Sequence, residues 1–570
     1  MSLNVPHITV PDPRARPLSM RRACVWALAF IVPAYLLILF GHDLWRPAET
    51  REAGIARVMI ESGNWVATYL NGALFLEKPP LYTWMLAVAL KVFGYHAWAI
   101  RLPVFCFALG TLLLTFSLAG RRAGPVGALA ATLGLATMWL FFEVNHGAMI
   151  DNGLVFFMTL AMFAFERMSA GARRHAAWAC LFYAALSLTF LTKGGIGVAL
   201  VGIAVITFTV WTRPRPTLKA WHPIPGLLIM TVLIGGWLLA LWQRGGADYF
   251  EVFFIRHHLI RFLGLTPYNP DGYPSAPWYY YLSYLVTGPA PWTLLILPGI
   301  WLAIRQAHHD PAEARRYWRL MTCWVVSMFL LLSVARSKDN QYLLPIFPPL
   351  AIVIGAWIAH LTTGPLPGDR TPRWAMALTR LTVALLAAVV WVLPLLPAVL
   401  RHQPWMPADW ISAVALVLLG GWILLALVRG EWALVWPRMA ALALAAILAF
   451  AWYIKPLMNA AKSSRPFCTM LSKIISPGAT FYGYGLNENT VGALTFYGPR
   501  PTRLTALHDT LDWGTASDPV YLLMVPRDGS WASCDLVMRS GHWRILYETR
   551  DGRRAFRLLG NRACQPVMPP

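Results

Sequence analysis

Between Cys24 and Tyr453 the chain is a succession of apolar runs separated by short basic clusters. Many of these runs reach roughly 18 residues, enough for a helix to cross a hydrocarbon core about 30 Å thick. No soluble core needs so many, so the chain is expected to live in lipid. Composition agrees. Of 570 residues 57% are hydrophobic and 13% charged, and the mean hydropathy of +0.52 lies outside the range of an ordinary soluble domain. Residues 1–22 carry Arg14, Arg16, Arg21 and Arg22 ahead of an apolar segment without a small-residue cleavage site. They read as a cytoplasmic N-terminus followed by a retained first helix.

The formal charge of +22 invites a nucleic-acid reading, but Lys and Arg fall in clusters between apolar runs rather than on one face. Basic cytoplasmic loops that set topology account for them, and no nucleic-acid partner is expected. With the N-terminus inside, the expected spans are residues 24–41, 102–119, 127–142, 154–165, 178–191, 196–211, 227–241, 280–303, 321–334, 343–360, 378–399, 411–428 and 439–453. The short run Leu81–Phe93, which follows Pro79-Pro80, is expected to lie along the outer surface. The fold class is thus mainly α: a polytopic membrane protein of about thirteen transmembrane helices with outer juxtamembrane helices. An odd number of crossings puts the tail outside. The domains are residues 1–22 in the cytoplasm, 23–454 in the membrane with outer loops 42–98 and 243–277, and 455–570 as a small periplasmic α/β domain. In that tail, strand-like runs at 480–484, 520–525, 543–547 and 554–559 alternate with turns. Cys468, Cys534 and Cys564 also lie there, and an extracytoplasmic tail allows a disulfide between two of them, Cys534 with Cys564 being the expected pair.

Polar chemistry gathers on the outer side. Glu49, Arg51 and Glu52 open a helical stretch whose Ile55, Val58 and Met59 share one face. A carboxylate such as Glu49 in a first turn either stabilises the helix dipole or serves a reaction. Glu77-Lys78-Pro79-Pro80 sets an acid and a base beside two prolines at the water–lipid boundary, where ion pairs are expensive and a ligand role competes with a structural pair. Asp151 and Asn152 sit at a turn between apolar helices and serve as a cap or as site residues. Lys193 ends an outer helix, a place that suits both the dipole and a phosphate. Arg256, His257, His258 and Arg261 stand among aromatics, and an Arg fork fits phosphate oxygens. The adjacent histidines do not match a zinc-helix spacing, so a ligand from here would need Glu77 as partner. The aromatic run 278–281 reads as an interfacial belt. Ser337-Lys338-Asp339 forms a further polar cluster. Together, Arg51, Lys78, Lys193, Arg256, Arg261 and Lys338 are candidates to bind a lipid phosphate, with Glu49 and Asp151 as candidate catalytic carboxylates.

The order Pro47-x-Glu49-Thr50-Arg51, Ser62-Gly63-x-Trp65, Leu70-Asn71-Gly72, Glu77-Lys78-Pro79-Pro80, Arg101-Leu102-Pro103 and Asp151 resembles the aminoarabinose transferase and protein mannosyltransferase group of membrane glycosyltransferases. Lys193-Gly194, His258-x-x-Arg261-Phe262 and Ser337-Lys338 extend the likeness. The resemblance implies the GT-C fold, a bacterial inner-membrane location and an undecaprenyl phosphate-linked sugar donor. It also implies inversion at the anomeric carbon and a lipid A phosphate, glycan or protein hydroxyl as acceptor. It further implies that Lys78 and Arg261 hold the donor phosphate, that Glu77 and His258 are candidate ligands of a divalent metal (Zn, Mg or Mn), and that Asp151 is a carboxylate of the catalytic site. The family has Asp immediately before the Glu of the first-loop motif, where this chain has Ala48. Either Glu49 takes over the acidic role, or the acceptor differs, or activity is reduced. Two other readings, a transporter or flippase of lipid-linked sugars and a non-catalytic envelope scaffold, differ in prediction. A transporter places its polar groups near the bilayer midplane, and a scaffold tolerates loss of Glu49, Glu77 and Asp151. Neither the sugar nor the oligomeric state can be read from the residues.

Overall fold

A computed structural model describes residues 18–564 apart from 46–47, 172, 214–220, 261–275, 310–311, 364–370, 393–406, 501–502, 505–512, 527–529 and 552–553. The first part is helical: α1 (Met20–Leu39), α2 (Ala48–Ser62), α3 (Leu81–Phe93), α4 (Ala97–Thr137), α5 (Trp139–Asn145), α6 (Ile150–Ser169), α7 (His175–Lys193) and α8 (Gly195–Trp211). Among the described residues six helices are long and apolar enough to cross a membrane, and a seventh span is made if α5 and α6, bent by 118°, are taken together. Shorter apolar helices, among them α3 and α8, accompany them. The expected span 102–119 and the first part of 127–142 are joined in the 41-residue α4, which turns at Gly124 with φ +64°, a positive φ that glycine adopts without penalty; the rest of the second span falls in α5. Small residues let helices close on one another. A Cβ on Gly355, in the helix Phe347–Thr363, would lie 2.4 Å from the carbonyl oxygen of Gly127 on α4.

Antiparallel packing of α6 on α7 brings the start of one beside the end of the other. Asp151, in the first turn of α6, therefore meets Lys193, in the last turn of α7. At the opposite end of α6, Glu166 pairs with Arg121 of α4 at 3.1 Å. Polar side chains thus mark both ends of the bundle while its interior is apolar.

The tail forms a five-stranded sheet ordered β4-β3-β5-β7-β6, with β3 (Thr480–Tyr484), β4 (Arg503–Leu504), β5 (Val520–Met524), β6 (Trp543–Asp551) and β7 (Arg554–Asn561). The pairs β3–β4 and β3–β5 are parallel, and β5–β7 and β6–β7 antiparallel. The four expected strand runs are all present, and the short β4 joins them. The expected Cys534–Cys564 disulfide does not form: Cys468, Cys534 and Cys564 are all free thiols and buried. The sheet separates Cys534 from Cys564. Cys534 packs with Val520, Leu522 and Leu559 on one face, whereas Cys468 and Cys564 pack with Tyr521, Leu523 and Leu558 on the other.

The tail is clamped onto α2. A Cβ on Gly54 of α2 would lie 2.9 Å from the Cα of Gly492, and a Cβ on Gly492 would lie 2.6 Å from the Cα of Arg51. Gly492 belongs to the tail helix Glu488–Tyr497, which crosses α2 backbone to backbone because neither crossing residue has a side chain.

Candidate active site

Local structure explains how the outer loop delivers its charges. Asn71 and Gly72, with φ +50° and +81°, make the tight turn between β1 (Tyr69–Leu70) and β2 (Ala73–Leu74), a role for which Asn-Gly is suited. The returning strand leads to Glu77 and Lys78, and Pro79-Pro80 hold the backbone as α3 begins. Lys78 is thereby fixed opposite α2, its Nζ 3.7 Å from Glu52. The Lys193 ammonium lies 2.5 Å from Asp151 Oδ1 and 4.2 Å from the ring centre of Tyr342, so the pair is packed against an aromatic face.

These groups line one cavity of about 410 Å³ whose lining is of two chemical kinds. Arg51, Glu52, Glu77, Lys78, Asp151, Lys193, His257 and Arg336 supply charged and titratable groups, and Leu154, Ile196, Ala199, Leu200 and Leu332 supply apolar ones. Burial pulls the Lys78 ammonium below the ordinary lysine pKa, and Arg51 adds to the effect while Glu52 and Glu77 oppose it. Burial works against the Arg51 cation too, but Glu52, Glu77 and Glu488 more than offset it and hold the guanidinium firmly protonated. Beside the cavity, burial and then Asp151 push the Asp339 carboxyl above its usual range.

Of the residues expected to act, Arg51, Lys78, Asp151, Lys193 and Glu77 do converge here. Glu49 does not, and this is a correction. It is buried at 3% exposure, and its two carboxylate oxygens accept from Arg101 Nε at 2.7 Å, Arg101 Nη2 at 2.8 Å, Trp45 N at 2.7 Å and Ala148 N at 3.0 Å. Burial by itself would raise its pKa, but Arg101 and the two backbone N–H groups hold it below the usual carboxylate value. A carboxylate so fully engaged is a structural tie. Glu52, three residues on, turns instead into the cavity. Arg256 is also outside the site: 64% exposed, it pairs with Glu251 at 3.1 Å, while its neighbour His257 lines the cavity. Lys338 is buried with its ammonium on the carbonyl oxygens of Ala276, at 2.9 Å, and Ala335, so it fastens a loop. Arg261 and the side chain of His258 lie outside the described residues.

For a metal, Glu77 is in place, but among the described residues no three His, Cys, Asp or Glu side chains come together to hold an ion. A catalytic zinc site ordinarily takes three protein ligands, and Glu77 already acts on the Arg51 and Lys78 cations. The side chain of His258, the expected partner of Glu77, lies outside the described residues, and no step is routed through a metal.

The membrane part matches, over residues 77–239, the family of dolichyl-phosphate-mannose-protein mannosyltransferases. The undecaprenyl phosphate-α-4-amino-4-deoxy-L-arabinose arabinosyl transferase of Pseudomonas aeruginosa UCBPP-PA14 is 31% identical over 434 residues, 72% of this chain and 76% of that protein. The chain belongs to this arabinosyl transferase family. The transferase of the same name from Pectobacterium carotovorum is 31% identical over 400 residues, 69% of each chain. Among solved structures, ArnT from Cupriavidus metallidurans bound to undecaprenyl phosphate superposes with a TM-score of 0.75 at 23% identity, over 95% of this chain and 99% of that one. Membership makes the protein an ArnT-like membrane glycosyltransferase of GT-C fold. What family motifs alone did not single out were Glu52, His257, Arg336 and Tyr342 as cavity residues, and Arg101 as the partner of Glu49.

Proposed function

We propose that the protein is an inverting transferase of the bacterial inner membrane that moves a sugar from undecaprenyl phosphate to an acceptor at the periplasmic surface. A lipid A phosphate is the first acceptor to test. The relatives carry 4-amino-4-deoxy-L-arabinose in their names, so that sugar is the first donor. The observation that carries the reading is the mixed lining of one cavity, whose cations suit a phosphate and whose apolar side chains suit the first isoprene units of its lipid.

In this reading the acceptor oxygen attacks the anomeric carbon from the face opposite the phosphate. The bond from that carbon to the phosphate oxygen breaks, and undecaprenyl phosphate departs with the electron pair. Lys78 and Arg51 neutralise the charge that grows on the leaving oxygen, a role in which fixed cations in a dry site are most effective. An acceptor that is already a phosphate anion needs no general base. Asp151 then serves by holding Lys193 in place, and with a hydroxyl acceptor it would take the proton. The proposed topology has about thirteen crossings, the N-terminus inside, and residues 455–570 in the periplasm.

The test is turnover by purified protein in lipid nanodiscs. Undecaprenyl phosphoryl-aminoarabinose and lipid A are supplied, released undecaprenyl phosphate is quantified, and modified lipid A is identified by mass spectrometry. Wild-type protein that releases no undecaprenyl phosphate with lipid A, glycan or protein acceptors would sink the proposal.

A further inference from the structure

Arg51 reaches two domains at once. Its Nη1 donates to Glu488 Oε2 at 3.1 Å in the tail, its Nη2 lies 3.4 Å from Glu52 Oε1 in the cavity, and its guanidinium carbon stands 5.8 Å from the ring centre of Phe75. The guanidinium thus bonds both acids but lies closer to Glu488 than to Glu52. Glu488 stands in the first turn of a helix capped by Asn487, whose side chain accepts from Thr490 N at 3.1 Å, so its backbone is fixed. Four residues on, Gly492 brings the same helix against the backbone of Thr50 and Arg51 themselves.

We infer that Glu488 is a positioning residue for the active site: from the tail domain it holds the Arg51 guanidinium back from Glu52 and Glu77, leaving the cation available to the donor phosphate. This rests on the proposed function, since it supposes that the cavity binds a lipid phosphate. The physical reason is competition. Glu52 and Glu77 both attract Arg51 within the cavity, and a guanidinium released from Glu488 would close on them, where its donors are spent on protein carboxylates. The inference gives the tail domain a part in donor binding and makes that binding sensitive to how the tail sits on α2.

The experiment is a double-mutant cycle on the full-length protein in nanodiscs, read as the Kd for undecaprenyl phosphate. Glu488→Gln is expected to weaken binding about tenfold, roughly the worth of one charge-assisted contact, and Glu488→Asp to restore most of it. Arg51→Ala should weaken binding on its own, and the Arg51→Ala/Glu488→Gln double variant should be no weaker than Arg51→Ala. Arg57, which fastens the same two helices through the carbonyl oxygen of Phe496 at 2.8 Å, is the control for docking alone. Arg57→Ala should leave Kd near the wild-type value. Wild-type affinity in Glu488→Gln, additive losses in the double variant, or an equal loss in Arg57→Ala would each overturn the inference while leaving the proposed function standing. Wild-type protein that does not bind undecaprenyl phosphate would overturn both.

Discussion

Lys78 and Glu49 are a charged pair of opposite fates. Lys78 faces the cavity, and Lys78→Ala is expected to cut kcat/KM by roughly two to three orders of magnitude, as loss of a fixed charge-stabilising donor does. The fold should persist, as a size-exclusion profile would verify. Because Lys78 acts as a cation and burial followed by Arg51 hold its pKa below 10.5, the alkaline limb of kcat/KM should begin below that value. The effect on stability has its own sign. The folded form binds this proton less tightly than the unfolded chain, so Lys78 costs stability at neutral pH, and the cost is relieved as pH rises between the lowered value and 10.5. Glu49→Gln, by contrast, leaves Arg101 buried with its charge uncompensated. It should cost about 3 kcal/mol or more, read as a drop in the thermal melting midpoint. Any loss of activity should follow that loss of fold, and a stably folded, inactive Glu49→Gln would refute the structural role. In Asp151→Asn the Lys193 ammonium loses its counter-charge, and turnover should fall by at least tenfold with a lower melting midpoint. Arg256→Ala, at an exposed pair, should leave turnover within about twofold.

At the scale of elements, the crossing of α2 with the tail helix Glu488–Tyr497 sets the site. A Cβ on Gly492 would meet Thr50 O at 2.5 Å and Arg51 Cα at 2.6 Å, so Gly492→Ala must push the helices apart. Its expected outcome is faster proteolytic release of the tail and weaker donor binding, both measurable on membranes. The helical periods and strand runs were legible because each depends on neighbours in sequence, as with residues 480–484, where the expected and observed strand coincide. Which side of α2 faces the cavity was not legible. Glu49 and Glu52 lie less than one turn apart, and the choice is made by Arg101, 52 residues away from Glu49 on α4. The Lys193 position was easier, since an outer helix end with a terminal lysine is a local signal, but its partner Asp151 came from antiparallel packing of α6 and α7.

For the whole molecule, one end of the bundle carries the site, the hairpin and the tail, and the other carries the Arg121–Glu166 pair. A phosphatase or fluorescent reporter fused after residue 453 is expected to report a periplasmic location. A cytosolic signal would reverse the proposed orientation. Dialysis against EDTA followed by addition of Zn, Mg or Mn tests the expected metal: a loss of turnover restored by one of them would show that Glu77 acts with ligands beyond the described residues.

By itself the sequence determined that this chain is a helical membrane protein with a small sheet-forming tail, because hydropathy and periodicity are local properties that lipid and the hydrogen-bonding backbone read directly. It also named most of the charged groups of the site, since charges at a lipid boundary are costly and stand out. Only the tertiary structure decided which of them share a cavity. It tied Glu49 to Arg101, turned Glu52 inward, set Arg256 outside, kept Cys534 and Cys564 on opposite faces of a sheet, and joined Arg51 to Glu488. Those outcomes depend on contacts between segments far apart in the chain, and packing rather than spacing settles them.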